Sequence, residues 1–324
     1  MRNQLFRILA TLALGLAVSP ARAQDAWPTR GIALIVPFAA GGTTDVVARV
    51  VAEGMQQVLG QSIVVDNRAG AGGSTGTAVV ARAKPDGYTI GLGTASTLAI
   101  NPAVYKTLPY DVLADLAPVI NLARVPNIMA IHPSLPAANM KEFIAHARER
   151  GGALSYASAG VGSVSHLMGE QFILATGTRM AHVPYRGVAP ALADAIAGHV
   201  QVMYDNLPTT LPLVEGGKLR ALAVSSPARL TALPDVPTFR ELGLDTLDWE
   251  AFFGIVAPAG TPPAIIARLN DAARQTLARK DVAEKLAGQM AANAAASPGD
   301  FAAEIRRELA RHSEAATRAG IALD

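Results

Sequence analysis

The chain has 324 residues, half of them hydrophobic, and it contains no cysteine. A chain of this length can bury two hydrophobic cores, and without cysteine it can have neither disulfides nor a lipid-modified N-terminal cysteine. Three of its 28 basic residues lie within residues 1–23, which leaves 25 against 26 acidic residues. The nearly neutral remainder has no basic run, so the sequence does not predict a nucleic-acid-binding protein.

Residues 1–23 have the pattern of a secretory signal peptide. The segment contains two arginines near its start and an apolar run from Ile8 to Val18, and it ends in Ala21-Arg22-Ala23. This run is about half as long as a membrane-spanning helix, so it predicts export and cleavage and not a membrane anchor. The mature chain is expected to begin at Gln24 and to lie in the periplasm.

Short apolar runs then alternate with stretches of helical periodicity. Ile32–Val36 and Ile63–Val65 predict strands, Asp45–Leu59 between them predicts a helix, and Tyr88–Leu92 predicts a further strand. This order is typical of a mostly parallel sheet covered by helices. In such a sheet, ligands bind beyond the carboxyl ends of the strands.

The first glycine loop, P-F-A-A-G-G-T-T-D from Pro37 to Asp45, falls at a strand-to-helix turn. Small residues leave backbone N–H groups open at a helix N-terminus, where the dipole favours an anion. Asp45 could also pair with Arg49 and brace the loop. The candidate ligand-binding residues of this loop are Phe38, Ala39, Gly41, Gly42, Thr43, Thr44 and Asp45.

The chain is expected to change lobe near Pro118–Pro126 and to return between Ser225 and Pro237. We therefore predict a first lobe of residues 24–122 plus 232–324 and a second lobe of residues 123–231. Two crossings give two α/β lobes joined by two strands, with a cleft that can close on a ligand by hinge motion.

The second glycine loop, S-A-G-V-G-S-V-S-H from Ser158 to His166, has the same chemistry as the first. One such loop is a weak signal, but two of them predict lobes that close on a single carboxylate. A lone histidine in a first helical turn is more often a hydrogen-bonding residue than a catalyst, so His166 is expected to fix the loop. The candidates here are Ser158, Ala159, Gly160, Gly162, Ser163 and His166.

Cofactor and metal sites have no sequence support. The glycine-rich segment Gly70–Gly76 has threonine at position 75, where the dinucleotide fingerprint needs glycine. The six histidines show no metalloprotease spacing. We therefore expect no cofactor, no metal ion and no nucleic-acid partner.

Motifs along almost the whole mature chain resemble the Bug or TctC-like receptors of tripartite tricarboxylate transporters. They are W-P from Trp27, the two glycine loops, N-R-A-G-A-G-G from Asn67, N-P-A-V-Y and L-P-Y-D between Asn101 and Asp111, P-Y-R-G from Pro184, L-R-A-L-A-V from Leu219, P-D-V-P-T from Pro234 and A-P-A-G-T-P from Ala257. The resemblance implies a two-lobed periplasmic binding fold of type II character and a two-subunit membrane permease as partner.

The resemblance also implies that both loops hold the nearest carboxylate of the ligand through backbone amides and ordered water. Thr94, Ser96 and Asp205 are then candidates for the far end of the ligand. Asp205 ends an apolar run and should point into the cleft, where it could meet an ammonium or hydroxyl group or merely brace a loop. Arg186 could contact a second carboxylate or form a surface ion pair.

The expected protein is a receptor without catalytic activity. Aromatic residues make up only 5% of the chain, which disfavours sugar stacking and favours a di- or tricarboxylate, an acidic amino acid or an aromatic acid. Two alternatives stay open. One is a hydrolase that uses His166 with Ser163 or Ser165, and the other is a sensor that presents its closed form to a membrane kinase.

Overall fold

The computed structural model describes residues 27–323, so the predicted signal peptide and the start at Gln24 lie outside the described residues. Within this range, no helix combines the length and the apolar character needed to cross a bilayer.

The strands form two sheets. They are β1 (Ile32–Val36), β2 (Ile63–Asn67), β3 (Thr89–Thr94), β4 (Leu116–Val125), β5 (Asn127–Ile131), β6 (Leu154–Ser158), β7 (Met180–Pro184), β8 (Val202–Asn206), β9 (Arg220–Ser225), β10 (Ala251–Pro258) and β11 (Ala292–Asn293).

Helices cover both sheets. They are α1 (Thr43–Leu59), α2 (Ser74–Ala81), α3 (Asn101–Val104), α4 (Met140–Glu149), α5 (Val164–Thr176), α6 (Val188–Ile196), α7 (Leu207–Glu215), α8 (Pro263–Leu277), α9 (Lys280–Gly288) and α10 (Pro298–Ala319). Short 3₁₀ turns lie at Ala71–Gly73 and Asp245–Leu247, and Ser96–Ile100 forms a π-helical turn.

The first sheet has the strand order β11-β4-β10-β3-β1-β2. β1 runs parallel to β2 and β3, but β10 is antiparallel to both of its neighbours, and β11 is antiparallel to β4. The prediction of a mostly parallel sheet is therefore wrong for this half of the molecule. The reason is that β10 comes back from the other sheet, so it enters from the opposite end.

The second sheet has the order β7-β6-β8-β5-β9, with β6 parallel to β7 and β8 and with β5 antiparallel to β8 and β9. The chain passes from β4 to β5 at Pro126 and returns between β9 and β10. We call each sheet with its helices a lobe. The division of the chain at 122/123 and 231/232 stays a prediction.

Helix α1 positions the first glycine loop. Its residues Val47, Val51 and Met55 are buried, which gives the helix one apolar face toward the core. Gly42 is the N-cap in an extended conformation, so the helix begins two residues before the predicted Asp45. The amides of its first turn therefore lie beyond the carboxyl end of β1.

Some helices have weak sequence signals. The sequence after Ala257 predicts two helices, which begin at Thr261-Pro262-Pro263 and at Ser297-Pro298, whereas the three helices α8, α9 and α10 follow β10. The helix α7 was not predicted, because Pro208 and Pro212 interrupt its sequence pattern. Pro208 falls in the first turn, where a missing N–H group costs nothing.

Candidate functional site

A narrow cavity with a mixed polar and apolar lining lies between the two lobes, where the first and second glycine loops meet. Its volume of about 40 Å³ is enough for a few water molecules, so the lobes are nearly closed on each other. The lining residues are Phe38, Ala39, Gly42, Thr43, Thr44, Thr94, Ala95, Ser96, Ala159, Ser163, Val164, Ser165, Val188, Asp205, Asn206, Ala251 and Phe253.

Asp45 holds the first glycine loop in shape. Its Oδ2 accepts hydrogen bonds from the amide of Gly41 at 3.1 Å and from Nε of Arg49 at 2.9 Å, and Asn67 donates to Oδ1 at 3.0 Å. Burial alone would raise the pKa of Asp45, but these hydrogen bonds outweigh it and lower the pKa. Asp45 is thus an ionised brace, and it is not part of the cavity lining.

The amides that follow this brace are available to a ligand. Within residues 27–323, no acceptor is bonded to the N–H groups of Gly42, Thr43 and Thr44. All three residues line the cavity. Unpaired amides at the positive end of a helix dipole form an anion site without any charged side chain.

The second glycine loop differs from the first, because its own side chains occupy its amides. Ala159 N–H donates to Ser165 Oγ at 2.9 Å, and Gly160 N–H donates to Ser158 Oγ at 3.1 Å. Gly162 N–H donates to Nδ1 of His166 at 3.2 Å. Three amides of this loop are therefore occupied by its own side chains, whereas the N–H group of Ser165, a residue of the cavity lining, has no acceptor within residues 27–323.

A pair of stacked imidazoles supports the second loop from behind. The rings of His166 and His182 are 4.2 Å apart, and Nε2 of His182 lies 2.6 Å from Ser158 Oγ. Burial lowers the pKa of each imidazole to about 4, so both are neutral at physiological pH. Since His166 Nδ1 accepts the Gly162 amide, its role here is to fix the loop.

The loops also contact the opposite lobe directly. A Cβ atom added at Gly42 would lie 2.8 Å from Cγ1 of Val188 at the start of α6. Val164 N–H donates to Ser96 Oγ at 3.0 Å, and the Tyr105 hydroxyl donates to the carbonyl of Val161 at 2.9 Å. Gly42 thus leaves room for the Val188 side chain of the opposite lobe as well as for a ligand.

The structure brings most of the predicted residues to the cavity. Ten of them line it: Phe38, Ala39, Gly42, Thr43, Thr44, Thr94, Ser96, Ala159, Ser163 and Asp205. The others, which are not in the lining, are Gly41, Asp45, Ser158, Gly160, Gly162, His166 and Arg186. Arg186 is exposed to solvent.

Sequence reasoning missed the apolar walls. Phe253 and Ala251 reach the cavity from β10, and Val188 reaches it from α6. Asn206, next to Asp205, was also missed. Proximity to a candidate already chosen could have identified Asn206, but no local signal marks the other three.

Asp205 is the charged side chain of the lining. It is 6% exposed, and its Oδ2 accepts hydrogen bonds from the hydroxyls of Thr209 at 2.6 Å and Thr210 at 2.7 Å. Burial raises the pKa of Asp205 to about 6, although the threonine hydroxyls and the Asn206 amide oppose the shift. Within residues 27–323, the lining includes no lysine, arginine or histidine.

The geometry does not favour the hydrolase alternative. Ser163 and Ser165 hydroxyls lie 3.0 Å from each other, and His166 Nδ1 is bonded to an amide. The segment Gly72–Gly76 also spells G-x-S-x-G, a nucleophile pattern, with Ser74 at its centre. The backbone N–H of His166 donates to Ser163 Oγ at 3.3 Å, but among the described residues no histidine imidazole is hydrogen-bonded to the hydroxyls of these three serines.

The two-lobed α/β fold and the cavity between its lobes agree with a family match. The profile of the tripartite tricarboxylate transporter family receptors (TctC) matches residues 47–320. The chain belongs to this family. Protein BugT of Bordetella pertussis is 40% identical to this family member over 309 residues, which are 93% of this chain and 95% of BugT.

Solved structures of similar proteins agree with the fold. The periplasmic binding protein BugD is 35% identical, with a TM-score of 0.88 over 91% of this chain and 99% of BugD. R. palustris Rpa4515, solved with adipate, is 40% identical, with a TM-score of 0.87 over 91% of this chain and 99% of that chain. The predicted two-lobed fold and the resemblance to Bug and TctC receptors are both confirmed.

Proposed function

We propose that this TctC-family chain is a periplasmic receptor that binds a small organic carboxylate between its lobes and delivers it to a two-subunit membrane permease. The observation that carries this proposal is the set of unpaired amides of Gly42, Thr43 and Thr44 in the cavity. A carboxylate placed there would accept hydrogen bonds from these three N–H groups, which have no acceptor among the described residues. The adipate complex of Rpa4515 supports a carboxylic acid as ligand.

The remaining lining suits a compact acid. Thr94, Ser96 and Ser163 offer hydroxyl groups, while Phe38 and Phe253 provide apolar walls. No bond needs to be made or broken in this function. Closure of the lobes buries the ligand and presents a joint surface of both lobes to the permease.

A thermal-shift screen of small carboxylic acids tests the proposal. A ligand at 100 times its dissociation constant stabilises a folded protein by about 2.7 kcal/mol, which raises the melting temperature of a chain of this size by roughly 4 °C. Amides and alcohols of the same carbon skeletons serve as controls and should have no effect. The receptor function would be refuted if no acid raised the melting temperature and calorimetry with the same acids detected no heat of binding.

A further inference from the structure

We infer that Asp205 selects the ligand: the cavity takes a carboxylate that carries a hydrogen-bond donor, an ammonium or a hydroxyl group, where it meets Asp205. This inference rests on the proposed receptor function and specifies its substrate class. It excludes ligands that place a second ionised carboxylate at this position.

The directions of the hydrogen bonds show that Asp205 acts as an acceptor. Thr209 has a single hydroxyl proton, and the contact of 2.6 Å to Asp205 Oδ2 is its shorter bond. Thr209 Oγ1 must therefore accept the proton of Thr43, which lies 3.2 Å away in the opposite lobe. Every proton of this chain of hydroxyls points toward the carboxyl group of Asp205.

Both threonine bonds go to Oδ2, so the other oxygen is available to a ligand. Within residues 27–323, no side-chain donor is bonded to Oδ1 of Asp205, and the residue lines the cavity. The Asn206 amide also acts on this carboxylate, but an ionised carboxylate with so few donors at one oxygen is costly in a nearly buried site. A donor on the ligand would complete its hydrogen bonding.

The charge balance of the cavity indicates the same class of ligand. The lining of the described residues contains one acidic side chain and no basic one. A first carboxylate is accommodated by the amides of Thr43 and Thr44, but a second one beside Asp205 would meet a like charge without a cation to offset it. Because the pKa of Asp205 is about 6, the group is mostly ionised at neutral pH.

The distance between the two subsites sets the ligand size. Contacts of 3.2 Å and 2.6 Å link Thr43 Oγ1 through Thr209 to Asp205 Oδ2, so these two atoms lie no more than about 6 Å apart. A donor two to four carbon atoms from the carboxylate fits this separation. Amino and hydroxy monocarboxylic acids of this length are the expected ligands.

A matched series of four-carbon acids tests the inference by calorimetry at pH 7.5. Butyrate, 4-hydroxybutyrate, 4-aminobutyrate and succinate share one skeleton and differ only in the terminal group. We expect the amino acid to bind at least tenfold more tightly than butyrate, the hydroxy acid to bind at an intermediate level and succinate to bind most weakly, because charged hydrogen bonds are the stronger ones. A three-carbon series, from propionate to malonate, covers the shorter length.

The variant Asp205→Asn should remove the preference for the amino acid and improve succinate binding by a similar factor. Asp194→Asn, on the surface of α6, is the matched control and should leave the ranking unchanged. The comparison of acids in the wild-type protein needs no variant, so poor folding of Asp205→Asn would not prevent the test.

The outcomes separate the two proposals. If wild-type protein binds succinate or butyrate at least as tightly as the amino and hydroxy acids, the inference about Asp205 is overturned while the receptor function stands. If Asp205→Asn keeps the wild-type ranking, the inference is overturned as well. If no carboxylic acid binds in either the series or the wider screen, the receptor function itself is refuted.

Discussion

Replacement of Asp205 by asparagine should stabilise the ligand-free protein at neutral and alkaline pH. Burial raises the pKa of Asp205 from 3.8 to about 6, so the folded state binds this proton more tightly than the unfolded state. The free energy of unfolding therefore falls as the pH rises from 3.8 through 6. A shift of about two pKa units corresponds to a loss of roughly 3 kcal/mol in the free energy of unfolding. This loss is complete above pH 7 and absent below pH 4.

Asparagine keeps an oxygen that can accept the hydroxyls of Thr209 and Thr210, but it carries no charge to desolvate. For a chain of this size, 3 kcal/mol corresponds to roughly 5 °C in melting temperature. The assay is thermal unfolding followed by circular dichroism at pH 4.5, 6 and 8, after bound ligand has been removed by unfolding and refolding. The gain of Asp205→Asn should grow from pH 4.5 to pH 8.

Asp194→Asn is again the control. The pKa of Asp194 is lowered by hydrogen bonds from Tyr185 and His199, so its removal should not stabilise the protein at any of these pH values. An Asp205→Asn protein that melts at or below the wild-type temperature at pH 8 would contradict the reasoning, because it would show that the carboxylate is adequately compensated in the empty cavity.

Three further predictions concern the loops and the buried histidines. Gly42→Ala should weaken ligand binding at least tenfold in calorimetry, because the added Cβ atom would lie 2.8 Å from Cγ1 of Val188. A second substitution, Val188→Ala, should restore part of the affinity. No recovery in the double variant would contradict a steric block. Asp45→Asn should cost about 1–3 kcal/mol in urea unfolding at pH 7, since the buried brace loses its charge. That cost should shrink in acid, because the lowered pKa of Asp45 stabilises the fold only above its unfolded value; an equal cost at pH 3 would argue against it. Burial lowers the pKa of His312 to about 3, so the folded state resists protonation and the free energy of unfolding should fall below pH 6.5. His312→Phe should reduce this loss of stability between pH 6 and pH 4. The control His199→Phe, at an exposed residue, should not reduce it.

Much of the fold could be predicted from local sequence. The strand over Ile32–Val36 has the predicted bounds, and the helix predicted over Asp45–Leu59 ends at the predicted residue. The antiparallel placement of β10 could not be predicted, because it depends on a return from the other lobe and not on any pattern within the strand. Helix α7 was missed because its prolines hide the helical period.

The candidate site divides in the same way. Its two glycine loops are visible in the sequence, and ten of the predicted residues line the cavity. The similar chemistry of the loops suggested equal roles, yet within residues 27–323 the first loop offers three adjacent open amides at the cavity, while three amides of the second are occupied by its own side chains. In the second, Ser158, Ser165 and His166 turn back onto the loop, and short polar side chains can do so without any change in the sequence pattern.

The sequence by itself determined the two α/β halves, the glycine loops and the family, because strands, helices and turns are encoded by neighbouring residues. Only the tertiary structure decided which amides are free, and only it placed Thr43 beside Thr209, 166 residues away, so that a hydroxyl relay ends on Asp205. The proposed ligand class rests on that contact between distant residues, and such contacts form only when the two lobes come together.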